Sequence, residues 1–246
     1  MTRVLIVEDN ASIAQGVRTA LVSEGFEVRI AGDGVEGLDR VCMWQPDVVI
    51  LDLMLPRLDG LQVLRTMRSD GFDTPVLILS ARGDDVDKLR GFRTGGDDYV
   101  TKPFSVAELL ARVEALARRR VVSRAELHRG GQVESFAGLE LALGTREARH
   151  CGALVELRPR EYDLLLALVR RQGEAVSRRD LLREVWGYND DVESRTIDSH
   201  IVELRRRLQT SSPASVQIVT TRKVGYRLVA AAHADSSRVA AEVNDG

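Results

Sequence analysis

The sequence predicts an α/β fold: a doubly wound, five-stranded parallel sheet followed by a second, smaller helix-turn-helix domain. Three observations carry that reading. Short, near-continuous runs of Val, Ile and Leu alternate with helical apolar stripes through the first half, as strands buried on both faces require. The second half changes to short alternating runs, three helical patterns and a closing pair of strands. At 246 residues the chain has the length of two domains of roughly 100–150 residues each.

The strands are expected at residues 3–7, 27–30, 48–51, 76–79 and 98–100. After the first, Ile13, Val17, Ala20 and Leu21 fall at i, i+4, i+7 and i+8 and form one helical stripe. A later helix opens at Ser105, where Ser105-Val106-Ala107-Glu108 has the spacing of a capping box, and continues through Leu109, Leu110, Val113 and Leu116. Repeated strand–helix alternation stacks helices on both faces of a parallel sheet. That last helix is expected to end in Arg118-Arg119-Arg120. The domains are therefore read as residues 1–118, a linker over 119–135 containing Gly130-Gly131, a second domain over 136–230, and a disordered tail over 231–246. Within the second domain, residues 136–157 carry turn signals at Gly138, Gly144 and Gly152 and predict a small antiparallel sheet. Pro159 stands at the first position of a helix whose buried side is Leu164, Leu165, Leu168 and Val169. Ser177, with Asp180 three residues on, begins the next helix, which buries Leu181, Leu182, Val185 and Trp186. A third helix spans roughly residues 194–208, and a hairpin of 217–221 and 225–229 turns at 222–224.

Hydrophobic residues make up 44% of the chain and charged residues 29%, which excludes a disordered polar chain and a collagen-like one. The longest apolar runs, residues 4–7, 48–51 and 76–79, fall far short of the ~18 residues of a membrane span. The N-terminus enters its first apolar run without a signal-peptide core, so a cytoplasmic location and no membrane partner are expected. Cys42 and Cys151 lack metal-type spacing, which argues against a disulfide framework and a Cys-based zinc site. Charge is unevenly divided. Residues 1–117 hold 13 Lys and Arg against 19 Asp and Glu, a net of −6, whereas the remainder holds 22 against 18, a net of +4. The basic half is the candidate for a nucleic-acid partner.

In an open α/β sheet, ligands bind at the carboxyl ends of the strands. The first strand ends in Glu8-Asp9, the third in Asp52 and the fourth in Ser80, and the fifth leads into Lys102-Pro103. Three carboxylates and one ammonium on a single rim invite a divalent cation, and an all-oxygen site suits Mg²⁺. One such carboxylate can act as a nucleophile towards phosphorus and form an acyl phosphate. Asp52 is the best placed, at the central strand end, with Lys102 to neutralise phosphoryl oxygens and Ser80 to donate a hydrogen bond.

These residues lie in longer strings: Val7-Glu8-Asp9-Asn10, Leu51-Asp52-Leu53-Met54-Leu55-Pro56, Asp59-Gly60, Ser80-Ala81-Arg82 and Asp97-Asp98-Tyr99-Val100-Thr101-Lys102-Pro103-Phe104. Together they closely resemble the receiver domain of two-component response regulators, a flavodoxin-like fold. That resemblance implies phosphorylation of Asp52 by a sensor histidine kinase, with Mg²⁺ among Asp9, Asp52 and the Met54 carbonyl and Glu8 acting through water. It also implies a Ser80–Tyr99 switch pair and a cis peptide between Lys102 and Pro103. The same resemblance implies a receiver that assists its own phosphoryl transfer and dephosphorylation without being a turnover enzyme. A hydrolase with an aspartyl nucleophile would want a second Asp two positions later, where this chain has Met54.

In the third helix of the second domain, Ile197, Ile201, Leu204 and Leu208 form the expected buried stripe. Arg195, Thr196, Asp198, Ser199, His200, Glu203, Arg205, Arg206 and Arg207 are expected around the open circumference. So much Arg on one helix, after two shorter helices, fits a recognition helix in the major groove of double-stranded DNA. The stretches Leu157-Arg158-Pro159-Arg160-Glu161-Tyr162, Val176-Ser177-Arg178, Val185-Trp186-Gly187, Arg195-Thr196-Ile197-Asp198-Ser199-His200-Ile201 and Thr221-Arg222-Lys223-Val224-Gly225-Tyr226-Arg227-Leu228 resemble the winged-helix effector domain of the OmpR/PhoB subclass. By that resemblance Arg195, Thr196, His200 and Arg205 contact phosphates. Asp198, Ser199, Val202 and Glu203 face base edges and Arg222 enters the minor groove; apart from the resemblance, Lys223 at the hairpin tip is expected to add a phosphate contact. Three positions depart from the pattern: Arg158 replaces a Thr helix cap, Lys223 replaces a wing Gly, and Glu203 stands where Arg is frequent.

The resemblance further implies a homodimer on phosphorylation, built on the last strand and last two helices of the receiver. Lys88, Asp97, Asp98, Glu108 and Arg112 match its charged positions, with cross-subunit pairs Lys88–Glu108 and Asp98–Arg112. The dimer would occupy a direct or tandem repeat DNA site and engage RNA polymerase to regulate transcription.

Overall fold

Five runs rich in Val, Ile and Leu form one parallel sheet: β1 (Arg3–Val7), β2 (Glu27–Ala31), β3 (Val48–Asp52), β4 (Val76–Ala81) and β5 (Asp98–Lys102), in the order β2-β1-β3-β4-β5. In this computed structural model, residues 1–81, 91, 93–126, 132–188, 196–211 and 216–230 are described. The chain divides into two compact units, Met1–Val122 and Ser123–Gly246. Around the first sheet lie α1 (Ala11–Ser23), α2 (Gly34–Trp44), α3 (Gly60–Ser69) and α4 (Val106–Glu126).

Successive side chains of a strand point to opposite faces, and both faces are covered here. Val4 and Ile6 of β1, with Val48 and Ile50 of β3, join Val17, Leu21, Val113 and Leu116 of α1 and α4 in one core cluster. Leu5, Val7, Val49 and Leu51 join Val41, Val63, Leu64 and Met67 of α2 and α3 in the other. The unbroken apolar runs are the consequence of this double burial. From β1 the chain moves outward to β2, then crosses back to β3 on the other side. The crevice at that reversal is where open α/β sheets bind ligands. It lies between the ends of β1 and β3, beside Glu8 and Asp52.

Local signals fix the helix starts next to that crevice. The Asn10 side chain accepts from the backbone N–H groups of Ser12 and Ile13, at 3.0 and 3.2 Å, and so caps α1. Asp59 caps α3 by accepting from Gln62 N at 2.9 Å. Gly60 then lets α3 press against the end of β3, since a Cβ at Gly60 would lie 2.1 Å from the Asp52 carbonyl oxygen.

The expected end of the last receiver helix at Arg118-Arg119-Arg120 is corrected: α4 runs on to Glu126. Arg, Ala and Glu are good helix formers, and no Gly or Pro interrupts the chain before Gly130. The expected linker therefore overlaps α4, and its far end overlaps the strand that starts at Val133. Residues 127–131 of the linker and the tail over 231–246 lie outside the described residues.

The second unit begins with a four-stranded antiparallel sheet, β6 (Val133–Phe136), β7 (Leu139–Ala142), β8 (Glu147–His150) and β9 (Ala153–Val155). Three helical segments follow: α5 (Pro159–Arg170), α6 (Arg178–Leu181) running into a π-type turn over Leu182–Trp186, and α7 (Thr196–Ser211). A three-stranded sheet closes the unit, with β10 (Val176–Ser177) and β11 (Val216–Thr221) on either side of β12 (Gly225–Ala230). Arg158 has no acceptor in its side chain, so α5 is capped from within: the Glu161 carboxylate accepts from Arg158 N at 2.8 Å. At the hairpin tip Lys223 adopts φ +60°, a left-handed conformation that costs a side-chain-bearing residue about 1 kcal/mol. Among the described residues no helix is long and apolar enough to cross a membrane.

Gly60→Ala should lower stability by about 1–3 kcal/mol, because the added methyl meets backbone rather than a side chain that can turn away. The urea midpoint of the full chain measures this, and an unchanged midpoint would show that the end of β3 can yield.

Candidate functional site

Glu8 and Asp9 follow β1, and Asp52 closes β3. One oxygen from each of these three carboxylates can be chosen so that all lie within 4.8 Å of one another. Glu8 and Asp52 are only 2% and 5% exposed, whereas Asp9 is open to solvent. Lys102, the last residue of β5, reaches back across the sheet. Its Nζ lies 2.6 Å from Asp52 Oδ2 and 2.7 Å from Glu8 Oε2. Backbone donors take the other oxygens: Met54 N donates to Asp52 Oδ1 at 3.1 Å and Asn10 N to Glu8 Oε1 at 3.3 Å.

The electrostatics follow from burial and crowding. Burial pushes the Glu8 carboxyl up, the Lys102 hydrogen bond opposes that, and the Asp52 charge adds to the rise. For Lys102 burial works against the charged form, but hydrogen bonds to Asp52 and Glu8 outweigh it and hold the ammonium above its ordinary value. Even so, one ammonium leaves an excess of two negative charges. An all-oxygen cluster of this kind matches a hard divalent cation.

Ser80, near the end of β4, is 2% exposed, and its Oγ has no hydrogen-bond partner among the described residues. Tyr99 on β5 pairs in register with Ile78 and is half-buried against the core formed with α2 and α3. The Lys102–Pro103 peptide is cis. Glu8, Asp9, Asp52 and Lys102 thus converge directly, and Ser80 and Tyr99 stand on the two adjoining strands.

The charged residues expected at a dimer surface are placed differently. Asp98 and Arg112 pair with each other inside the chain, at 2.8 Å and 0% and 3% side-chain exposure. Val100 of β5 shares a core cluster with Leu109 and Val113 of α4, and across it Arg112 reaches Asp98 of its own chain. Arg112 also meets Glu108, one turn earlier on α4, at 2.7 Å. Burial opposes the Arg112 charge, and the two carboxylates more than restore it. Asp97 is nearly buried as well, 3.2 Å from Arg68 and accepting from Val76 N at 2.9 Å. Lys88 lies outside the described residues.

On α7, Ile197, Ile201, Leu204 and Leu208 are buried as the stripe requires. Thr196, His200 and Glu203 are not on the open side. They are 0%, 4% and 4% exposed, because α7 packs against α5, β9 and β11 together rather than along one face. The His200 ring lies 5.2 Å from that of Trp186. Glu203 is held by Arg206 at 2.5 Å, a bond that pulls its carboxyl below the ordinary value. Arg207 links α7 to α5 through Glu161, at 2.9 Å. Val202 and Arg206 are exposed, and Asp198, Ser199 and Arg205 are partly so. Arg205 donates to Ile218 O at 2.8 Å and Thr220 Oγ1 at 2.9 Å, which fixes it beside β11. Arg222 and Lys223 are exposed at the hairpin tip, and Arg195 lies outside the described residues. One neighbour of this surface was not anticipated: Arg178, first residue of α6, lies 3.1 Å from Asp198. An Arg in the first turn of a helix opposes the helix dipole, and that was the available cue.

Comparison with known proteins places both units. Residues 4–114 match the family described as "Response regulator receiver domain", and residues 152–228 match "Transcriptional regulatory protein, C terminal". The chain is 37% identical over 225 residues to "DNA-binding response regulator MtrA" of Mycolicibacterium paratuberculosis, covering 92% of this chain and 97% of that one. It is 41% identical over 231 residues to "DNA-binding dual master transcriptional regulator RpaA" of Synechocystis sp., covering 93% and 95%. Among solved structures, a point mutant of RitR superposes with a TM-score of 0.71 at 23% identity, over 93% of this chain and 99% of that one, a likeness of fold.

Two stability measurements test the buried charges. Arg112→Ala leaves Asp98 buried without its main partner and should cost about 3–5 kcal/mol; a loss below ~1 kcal/mol, typical of exposed pairs, would contradict the burial. Burial is the main cause that raises the Glu161 carboxyl. Its folded value therefore lies above its unfolded one, so its contribution is full at acid pH and is lost as pH rises through the folded value. Glu161→Gln should flatten that decline in denaturation midpoints followed from about pH 4 to 7.

Proposed function

The chain belongs to the two-component response regulators of the OmpR/PhoB type, with a receiver domain and a DNA-binding transcription-regulator domain, and from that premise we propose that Asp52 is its phosphoacceptor. A sensor histidine kinase supplies the phosphoryl group. An Asp52 carboxylate oxygen bonds to phosphorus as the bond from phosphorus to the kinase imidazole breaks, and the imidazole nitrogen keeps the electron pair. The observation that supports this most directly is Asp52 held 2.6 Å from Lys102 inside the acidic rim, with the buried Ser80 hydroxyl, which has no partner among the described residues, on the adjoining strand.

Each side chain has a part in this reading. Lys102, kept charged by Glu8 and Asp52, sits beside the arriving phosphoryl oxygens. Ser80 donates a hydrogen bond to one of them, and Tyr99 follows it inward as the second member of the switch. Asp9, Asp52 and the Met54 carbonyl would hold Mg²⁺, with Glu8 acting through water, and the ion would supply neutralisation of phosphoryl charge. Self-dephosphorylation uses the same groups, and no steady turnover of small phosphate esters accompanies it.

Phosphorylation biases the receiver towards a homodimer on the α4–β5 side, and two effector domains then share a direct or tandem repeat site on double-stranded DNA. A modification shifts such an equilibrium only by its preference for one state. Lys88–Glu108 and Asp98–Arg112 are the dimer's cross-subunit pairs, and within each chain Arg112 meets both Asp98 and Glu108. Ser199 and Val202 face base edges, Arg205, Arg206 and Lys223 the backbone, and Arg222 the minor groove. RNA polymerase is the further partner in transcription, and a cytoplasmic location suits all of these partners.

With a small phosphodonor and Mg²⁺, sedimentation should show dimerisation of the unaltered protein, together with tighter DNA binding. Asp52→Ala should abolish both increments while weak, salt-sensitive DNA binding persists. Equal stimulation of the variant would overturn the assignment.

A further inference from the structure

Asp198 projects from the exposed side of α7, in line with Val202 and Arg205 at i, i+4 and i+7. Its Oδ1 is already occupied by two donors. Arg178 Nε donates to it at 3.1 Å, and the Tyr226 hydroxyl donates to the same oxygen. Arg178 Nη2 in turn donates to the Tyr226 oxygen at 3.2 Å, which closes a triangle between α6, α7 and β12. The sheet sets up this meeting: β10 pairs Val176 with Tyr226, two residues before Arg178. The Arg178 guanidinium lies over the Tyr226 ring at 4.8 Å from its centroid, and that of Arg205 approaches the same ring at 5.9 Å.

Arg178 and Asp198 are not buried in this contact, since each side chain is 44% exposed. Arg178 Nη1 makes no hydrogen bond among the described residues, so its two N–H groups remain available on the edge of the guanidinium turned from Asp198. Two cations flanking one aromatic ring beside a recognition helix present planar donors of the kind that suits a phosphate oxygen. A carboxylate in the same place would repel the DNA backbone unless it served those cations.

We propose that Arg178 is a DNA-backbone contact and that Asp198 is a positioning residue, which with Tyr226 holds the Arg178 guanidinium in place rather than reading a base. The inference rests on the DNA-binding surface proposed above. It assigns α6 a part in DNA contact and gives Asp198 a positioning part in place of the base-facing one that the family resemblance implies.

The test uses the full chain with a phosphodonor and a duplex chosen by selection from a random pool. Arg178→Ala should weaken binding about tenfold and lower the slope of affinity against salt by about one phosphate. Asp198→Ala should also weaken binding, although loss of a bystander carboxylate beside DNA would strengthen it. The Arg178→Ala, Asp198→Ala double variant should bind no more weakly than Arg178→Ala alone, and Asp198→Asn, which keeps an acceptor oxygen, should recover part of the loss. The bases selected by Asp198→Ala should match those of the unaltered protein. A changed base preference, additive losses, or equal or tighter binding by Asp198→Ala would each overturn the proposal. Should Asp198→Ala not fold, as judged by circular dichroism, the salt slope of Arg178→Ala decides by itself. An unaltered protein that selects no duplex would instead overturn the proposed function.

Discussion

Three carboxylates gathered within 4.8 Å, with a single ammonium between two of them, form an arrangement that electrostatics alone would disperse. Desolvation and the Asp52 charge both raise Glu8, so the cluster sits in the fold at a cost. What keeps it together is the sheet. β1 and β3 are neighbours, buried on both faces by two separate cores, and their carboxyl ends have no freedom to part. Lys102 arrives from β5 across β4 and ties both buried carboxylates. The chemistry proposed for Asp52 depends on that rigidity, since phosphoryl transfer asks a protein mainly for positioning and charge neutralisation.

Rigid placement is also the theme of the second domain, where ion pairs replace the sheet as the device. Arg207 joins α7 to the capping Glu161 of α5, and Glu203 gathers Arg206 beside it. Arg205 is fastened to β11, and Arg178 to Asp198. Several arginines of the basic half are thus already paired before any partner arrives. Net charge therefore overstates how much free cation the surface offers, and the geometry of the remaining N–H groups matters more than their number. Lys223 at the hairpin tip, held at φ +60°, and Arg222 beside it are exceptions, since both are open to solvent and neither makes an ion pair among the described residues.

The five parallel strands and the acidic rim were legible in the sequence because a strand buried on both faces leaves an unbroken apolar run, and the polar residue that ends the run marks the rim. Asp52 and Lys102 stand out for that reason. What the sequence hid depends on contacts between elements. A run of three arginines looked like a helix end, yet charge does not stop a helix in the absence of Gly or Pro, and α4 continues to Glu126. Glu203, Thr196 and His200 looked open on a helix read as buried along one stripe. Contact with α5, β9 and β11 closes more of the circumference than one stripe can show. The Asp98–Arg112 pair needed the packing of β5 on α4, which neither residue's own neighbourhood reveals.

The most direct check on the central claim is intact-mass analysis after incubation with a small acyl phosphate and Mg²⁺, followed by peptide mapping. The account predicts a single phosphoryl adduct, cleaved by alkali and carried by Asp52, with none on Glu8 or Asp9. A folded protein that takes up no phosphoryl group, or takes it up on another residue, would contradict it.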